Sequence, residues 1–121
     1  MKKLRIILSG GGTGGHIYPA VAVAEALRRR FGEDIDLLFV GAEGKMEMEK
    51  VPALGYRIVG LPIAGLQRRL EWRNLLVPFK VLRSIRQARH TIRDFGADAV
   101  VGFGGYASAP VLWAAQRLGV P

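Results

Sequence analysis

The stretch with the clearest chemical content is Ser9-Gly10-Gly11-Gly12-Thr13-Gly14-Gly15-His16, in which five of the seven residues from Ser9 to Gly15 are glycine. Glycine lets successive backbone N–H groups converge without Cβ obstruction, and a helix opening at the end of such a loop adds positive potential. That combination suits a diphosphate. A P-loop would continue with Lys and Ser or Thr, whereas Gly15 is followed by His16. A dinucleotide-binding fold would close its second strand with an acidic residue, where Val40-Gly41 stands and Glu43 is a poor substitute. The alternative is a tight strand-to-helix turn with no ligand, which so many glycines disfavour through their backbone entropy. His16 closes the loop where a helix would start. The helix dipole disfavours imidazolium there, so a neutral ring can accept a proton from a sugar hydroxyl. The other reading is that His16 hydrogen-bonds a phosphate or the backbone.

A second loop, Gly102-Phe103-Gly104-Gly105-Tyr106-Ala107-Ser108-Ala109-Pro110, repeats the plan of glycines, a hydroxyl residue and a proline at a helix start. Ser108 is placed as an N-cap or as a phosphate ligand. Tyr106 either packs in the core or offers its hydroxyl to a sugar.

The third feature is basic and apolar. In the helix expected from Trp72 to Phe95, Val81, Leu82, Ile85, Ala88, Ile92 and Phe95 form a core stripe. Leu75, Leu76 and Phe79 lie off that stripe, near Trp72, Lys80, Arg83 and Arg86. Apolar residues ringed by cations suit a surface dipping into anionic headgroups. The competing reading is a solvated arginine face with the apolar residues covered by the preceding loop. His90, in the same helix, is expected to be a solvated surface residue.

The elements that must position these residues alternate. Strands are expected at Leu4–Leu8, Ile35–Val40, Tyr56–Leu61 and Ala99–Val101. Between them come a helix with Pro19 in its first turn and a stop at Gly32, and a short helix around Met46–Val51 ended by Pro52 and Gly55. A loop follows from Pro62 to Leu70, then the long helix, kinked or broken at Pro78, and a last helix from near Pro110 to Gly119. The fold class is α/β: a Rossmann-like parallel sheet with helices on both faces. Ligands of such sheets bind beyond the strand carboxyl ends. Both glycine loops belong there, so they are expected side by side on one rim. The chain stops at Pro121, where a further strand would begin, and reads as a truncated domain.

The composition narrows the partners. The 121 residues suit one small domain, and half of them are hydrophobic, which excludes disorder. No cysteine and two histidines leave no disulfide framework, thiolate metal site or histidine-rich metal site. No segment has the length of a membrane span, and the N-terminal apolar run is too short for a signal peptide, so the cytoplasm is the default compartment. The net charge is +8, and the segment from Arg57 to Arg93 supplies it, with nine basic residues against Glu71 alone. The partner should be anionic: nucleic acid, a phospholipid surface or a phosphorylated small molecule. Nucleic acid is disfavoured because the aromatic interleaving of a single-strand platform is missing.

Taken together, Gly11-Gly12-Thr13-Gly14-Gly15-His16-Ile17-Tyr18-Pro19 and Gly102 to Pro110 resemble the first two glycine loops of the bacterial peptidoglycan N-acetylglucosaminyltransferases. The likeness runs along essentially the whole chain, including Met46-Glu47, Val51-Pro52 and the basic, apolar helix. It implies a GT-B fold of two Rossmann-like domains, of which residues 1–121 are the acceptor-binding N-terminal one and the donor domain is absent. It implies inverting transfer of N-acetylglucosamine from UDP-N-acetylglucosamine to the C4 hydroxyl of undecaprenyl-diphospho-N-acetylmuramic acid-pentapeptide (lipid I to lipid II), with no cofactor and no metal. On the same grounds His16 matches the base, Gly11, Gly12, Thr13, Gly14 and Gly15 a diphosphate- and donor-binding stretch, and Gly102, Gly104, Gly105, Tyr106 and Ser108 the acceptor diphosphate loop. The membrane contact would fall to Trp72, Leu75, Leu76, Phe79, Lys80, Arg83 and Arg86, on the inner face of the plasma membrane. Residues 1–121 alone are expected to be inactive. Two rivals remain: a glycosyltransferase acting on diacylglycerol, and the non-catalytic, membrane-recruiting half of a split transferase.

Overall fold

Leu4–Ser9 (β1) alternates its side chains between two apolar environments, as a strand covered on both faces must. Ile6 and Leu8 face one layer and Ile7 the other, and all three are buried. The computed structural model describes residues 3–10, 14–62, 77–104 and 108–121, and of residues 14–16, 77, 78 and 80 the backbone alone. The remaining strands are Ile35–Ala42 (β2), Arg57–Leu61 (β3) and Ala99–Gly102 (β4). They form one parallel sheet in the order β3-β2-β1-β4.

Among the described residues four α-helices cover it: Gly14–Phe31 (α1), Glu47–Ala53 (α2), Val77–Phe95 (α3) and Ser108–Leu118 (α4). Ile17, Ala20, Val21 and Ala24 of α1 and Val51 of α2 pack on Ile6, Leu8, Ile35, Leu37 and Phe39. On the opposite face Ala88 and Ile92 of α3 and Val111, Ala114 and Ala115 of α4 pack on Ile7, Leu38, Val40, Leu61 and Val100. Large side chains buried this fully contribute roughly 1.5–3 kcal/mol each. The expected doubly covered parallel sheet is therefore what the chain forms. Arg5 fastens its lower end: its amide donates to Asp98 Oδ2 at 2.8 Å, its carbonyl accepts the Asp98 amide at 2.7 Å, and Nη1 donates to the Phe95 carbonyl at 2.9 Å.

Local punctuation differs from expectation at the prolines. Pro19 lies inside α1, which starts at Gly14, five residues earlier. Proline there forfeits one bond to the Gly15 carbonyl, and its ring is exposed, while Ile17, Ala20 and Val21 anchor the same turns to the sheet. Pro52 likewise sits within α2, which closes instead through the Leu54 and Gly55 amides and the positive φ of Gly55. Pro78 is the second residue of α3 as described. The expected kink in a helix running from Trp72 falls on residues partly outside the described set. Gly32 and Gly119 end α1 and α4 as expected, both with positive φ.

The core stripe of α3 also shifts. Ser84, Ala88, Thr91 and Ile92 are buried, whereas Leu82, expected in the stripe, is 49% exposed. Leu82 lies about 120° around the helix from Ala88, and α4 and the sheet pack on the Ala88 side.

Candidate functional site

Chain direction and strand order bring the two glycine loops together. β1 pairs with β2 on one side and with β4 on the other, so the chain leaves the two neighbouring strands β1 and β4 toward opposite faces of the sheet. This is a topological switch point, where parallel sheets open a crevice. Ser9 and Gly102, the last residues of β1 and β4, are register partners. Past them the Phe103 amide donates to the Ser9 carbonyl at 2.8 Å. On the other flank the Val40 carbonyl accepts from the Gly10 amide at 3.2 Å and from Ser9 Oγ at 3.3 Å. The roots of both loops and the end of β2 thus form one hydrogen-bonded rim.

The expected site residues distribute as follows. Gly14, Gly15 and His16 form the first turn of α1, directly above the end of β1. A helix N-terminus at that point offers unpaired amides and the positive dipole end. Gly102 ends β4, and Gly104 has φ +99°, a conformation costly to residues with a Cβ. Gly11, Gly12, Thr13, Gly105 and Tyr106 lie outside the described residues, as does the side chain of His16.

Ser108 is the first residue of α4 and 3% exposed. Its Oγ lies 2.8 Å from the Ser9 carbonyl and 2.7 Å from the Gly104 carbonyl. A hydroxyl has a single proton, and here two main-chain acceptors share it. The bonds this side chain makes to described residues run to carbonyls, in place of the expected N-cap bond in which its oxygen accepts an amide.

The membrane-contact group divides. Phe79 is 69% exposed on α3, and Arg83 and Arg86 are exposed on the same face. Trp72, Leu75, Leu76 and the Lys80 side chain lie outside the described residues. The fold adds members that helix spacing did not reveal. Leu82 is exposed like Phe79, and Trp113 of α4, half exposed, shares a cleft of about 400 Å³ with Ile85 and Arg89 of α3 and with Ala114 and Arg117. The Arg117 guanidinium lies over the Trp113 ring at 4.9 Å from its centroid. Arg83, Arg86, Arg89 and Arg93 are ion-paired to no other described residue, so their charge is available to an anionic surface. The sequence carried no signal that singled out Trp113, because its approach to α3 depends on how the two helices pack.

A larger cleft, about 580 Å³, lies away from the loops, between the second half of α3 and the starting halves of β1, β2 and β3. Arg5, Arg57 and His90 face Asp36 and Asp94 there. These charges largely offset one another, and no glycine loop opens on the cleft, so size alone does not make it the site. His90 is exposed, as expected. Among the described residues no three histidine, cysteine or acidic side chains gather to hold a metal ion, and no helix is long and apolar enough to cross a membrane.

The sequence model of the glycosyltransferase family 28 N-terminal domain matches residues 6–121. A UDP-N-acetylglucosamine–N-acetylmuramyl-(pentapeptide) pyrophosphoryl-undecaprenol N-acetylglucosamine transferase from Porphyromonas gingivalis is 60% identical over 119 residues, covering 98% of this chain and 31% of that protein. The transferase of the same name from Parabacteroides distasonis is 55% identical over 121 residues, covering all of this chain and 33% of that one. The chain thus spans about a third of the length of the curated relatives it matches. Among solved structures, Acinetobacter baumannii MurG superposes with a TM-score of 0.81 at 30% identity, over 98% of this chain and 34% of that one. The calicheamicin glycosyltransferase CalG4, at 19% identity and a TM-score of 0.65 over 100% of this chain and 32% of that one, shares the fold alone.

Proposed function

Since the chain belongs to glycosyltransferase family 28, as its N-terminal domain, we propose that it is the acceptor-binding part of an enzyme making lipid II from lipid I. In this reading the amides of the two glycine loops grip the diphosphate of an undecaprenyl-diphospho-N-acetylmuramic acid-pentapeptide. Gly11, Gly12, Thr13, Gly14 and Gly15 serve one side, where they also meet the donor, and Gly102, Gly104, Gly105 and Tyr106 serve the other. The observation that carries it is the pairing of Ser9 with Gly102, which supports two glycine loops converging on one anion.

The chemistry is substitution at the donor C1. The acceptor C4 oxygen attacks that carbon as its bond to the UDP phosphate breaks, UDP leaves with the bonding electrons, and His16 takes the hydroxyl proton. The configuration at C1 inverts, and no cofactor or metal takes part. The rest of the enzyme supplies most of the UDP-N-acetylglucosamine site. The face formed by Phe79, Leu82, Arg83, Arg86, Trp113 and Arg117, with Trp72, Leu75, Leu76 and Lys80, rests on the cytoplasmic side of an anionic membrane, where the lipid acceptor lies.

The test is transfer of labelled N-acetylglucosamine by the full-length enzyme to a lipid I analogue, with a diacylglycerol acceptor in parallel. Labelled lipid II from the first alone is expected. Product from diacylglycerol alone would replace this reading with the glycolipid one. Residues 1–121 by themselves should give no product.

A further inference from the structure

We infer that Ser108 is a positioning residue for acceptor binding: its hydroxyl locks the root of the first glycine loop to the turn of the second. The inference rests on the reading of the rim as a diphosphate site. Beyond Ser9 and Gly102 the strand ladder ends, and the chain leaves in two directions. There the Ser108 hydroxyl, buried and 99 residues from Ser9 in sequence, reaches the carbonyl of Ser9 and that of Gly104 together.

What this fixes is a peptide orientation. A trans peptide is planar, with its C=O and N–H pointing in opposite directions. Holding the Gly104 carbonyl therefore holds the plane of the peptide bond that carries it. Gly104 itself offers no resistance to rotation, since glycine at φ +99° has alternatives on both sides of φ = 0. A loop that grips an anion through backbone amides needs those amides aimed before the ligand arrives. The Ser9 carbonyl keeps a second partner, the Phe103 amide at 2.8 Å, so the sheet end survives loss of the hydroxyl while the Gly104 peptide does not keep its anchor.

The experiment is steady-state kinetics of the full-length transferase carrying Ser108→Ala or Ser108→Thr, with a short-chain lipid I analogue and UDP-N-acetylglucosamine varied separately, beside thermal melts. Ser108→Ala should raise the acceptor KM about tenfold with kcat and the donor KM within about twofold, the pattern of lost ground-state binding. Ser108→Thr, which keeps the hydroxyl, should bring the acceptor KM back to within about threefold of the parent. An unchanged acceptor KM in Ser108→Ala overturns the inference, as does an equal loss on both substrates. If Ser108→Ala fails to fold, Ser108→Cys, with a weak S–H donor, must give an intermediate acceptor KM, and parent-like behaviour there refutes the lock. A parent enzyme that uses a prenyl monophosphate acceptor as well as the diphosphate brings down the diphosphate reading itself, and this inference with it.

Discussion

Gly41 and Glu47 meet at the end of β2 so closely that a Cβ on Gly41 would stand 2.6 Å from Glu47 Cγ. Glu47 is fully buried in the first turn of α2, and its Oε2 accepts the Ala42 amide at 3.0 Å, which ties the helix to the strand it follows. Neither side has room to withdraw. Gly41→Ala should therefore destabilise the chain by roughly 1–3 kcal/mol, the usual effect of overpacking, read as a lowered urea midpoint at unchanged slope. A midpoint equal to that of the parent would show that α2 can slide.

Gly102 offers the contrasting case. A Cβ there would meet Leu112 Cδ1 at 2.7 Å, but Leu112 is 42% exposed and its side-chain end is free to turn away. Gly102→Ala should cost within about 0.5 kcal/mol, as surface adjustments do. A loss as large as that of Gly41→Ala would mean that Leu112 is held in place.

At Gly104 the backbone itself objects. Its φ of +99° is unfavourable for any residue with a Cβ, so Gly104→Ala should lose about 1–3 kcal/mol by denaturation. It should also weaken acceptor binding in the full-length enzyme, measured by titration with a lipid I analogue, because relaxing the strain turns the loop. Full stability with full affinity would show that the loop tolerates a negative φ.

His16 stands in the first turn of α1. As the base, its replacement in His16→Ala should lower kcat of the full-length enzyme by about 10²–10⁴-fold with the acceptor KM little changed. A raised acceptor KM at near-normal kcat would make it a phosphate ligand instead.

The exposed face of α3 carries the last prediction. Arg83→Glu with Arg86→Glu should reduce cosedimentation with vesicles containing anionic phospholipid by about tenfold or more, since each cation near such a surface contributes about 1 kcal/mol. Phe79→Ser with Leu82→Ser should weaken the same binding even at raised salt, through lost apolar insertion. All four side chains are exposed, so melting temperatures should hold. Unchanged cosedimentation for both pairs would remove this face as the membrane contact.

What the sequence determined by itself was local or periodic. Apolar runs at Leu4–Leu8 and Ile35–Val40 specify strands because alternate side chains must leave opposite sides of a pleat. Glycine density at Ser9–Gly15 and Gly102–Gly105 specifies amide-rich turns, and strand–helix alternation places both on one rim. Tertiary structure decided the rest. Packing of Ile17 and Ala20 on the sheet outweighed the single bond that Pro19 forfeits, so α1 starts at Gly14. The position of α4 beside α3 left Leu82 in solvent and brought Trp113 to the arginine face. The turn of α4 at the rim carried the Ser108 hydroxyl to a carbonyl 99 residues away. Propensity and periodicity act over a few residues, and contacts between elements distant in the chain follow only once strand order has put those elements side by side.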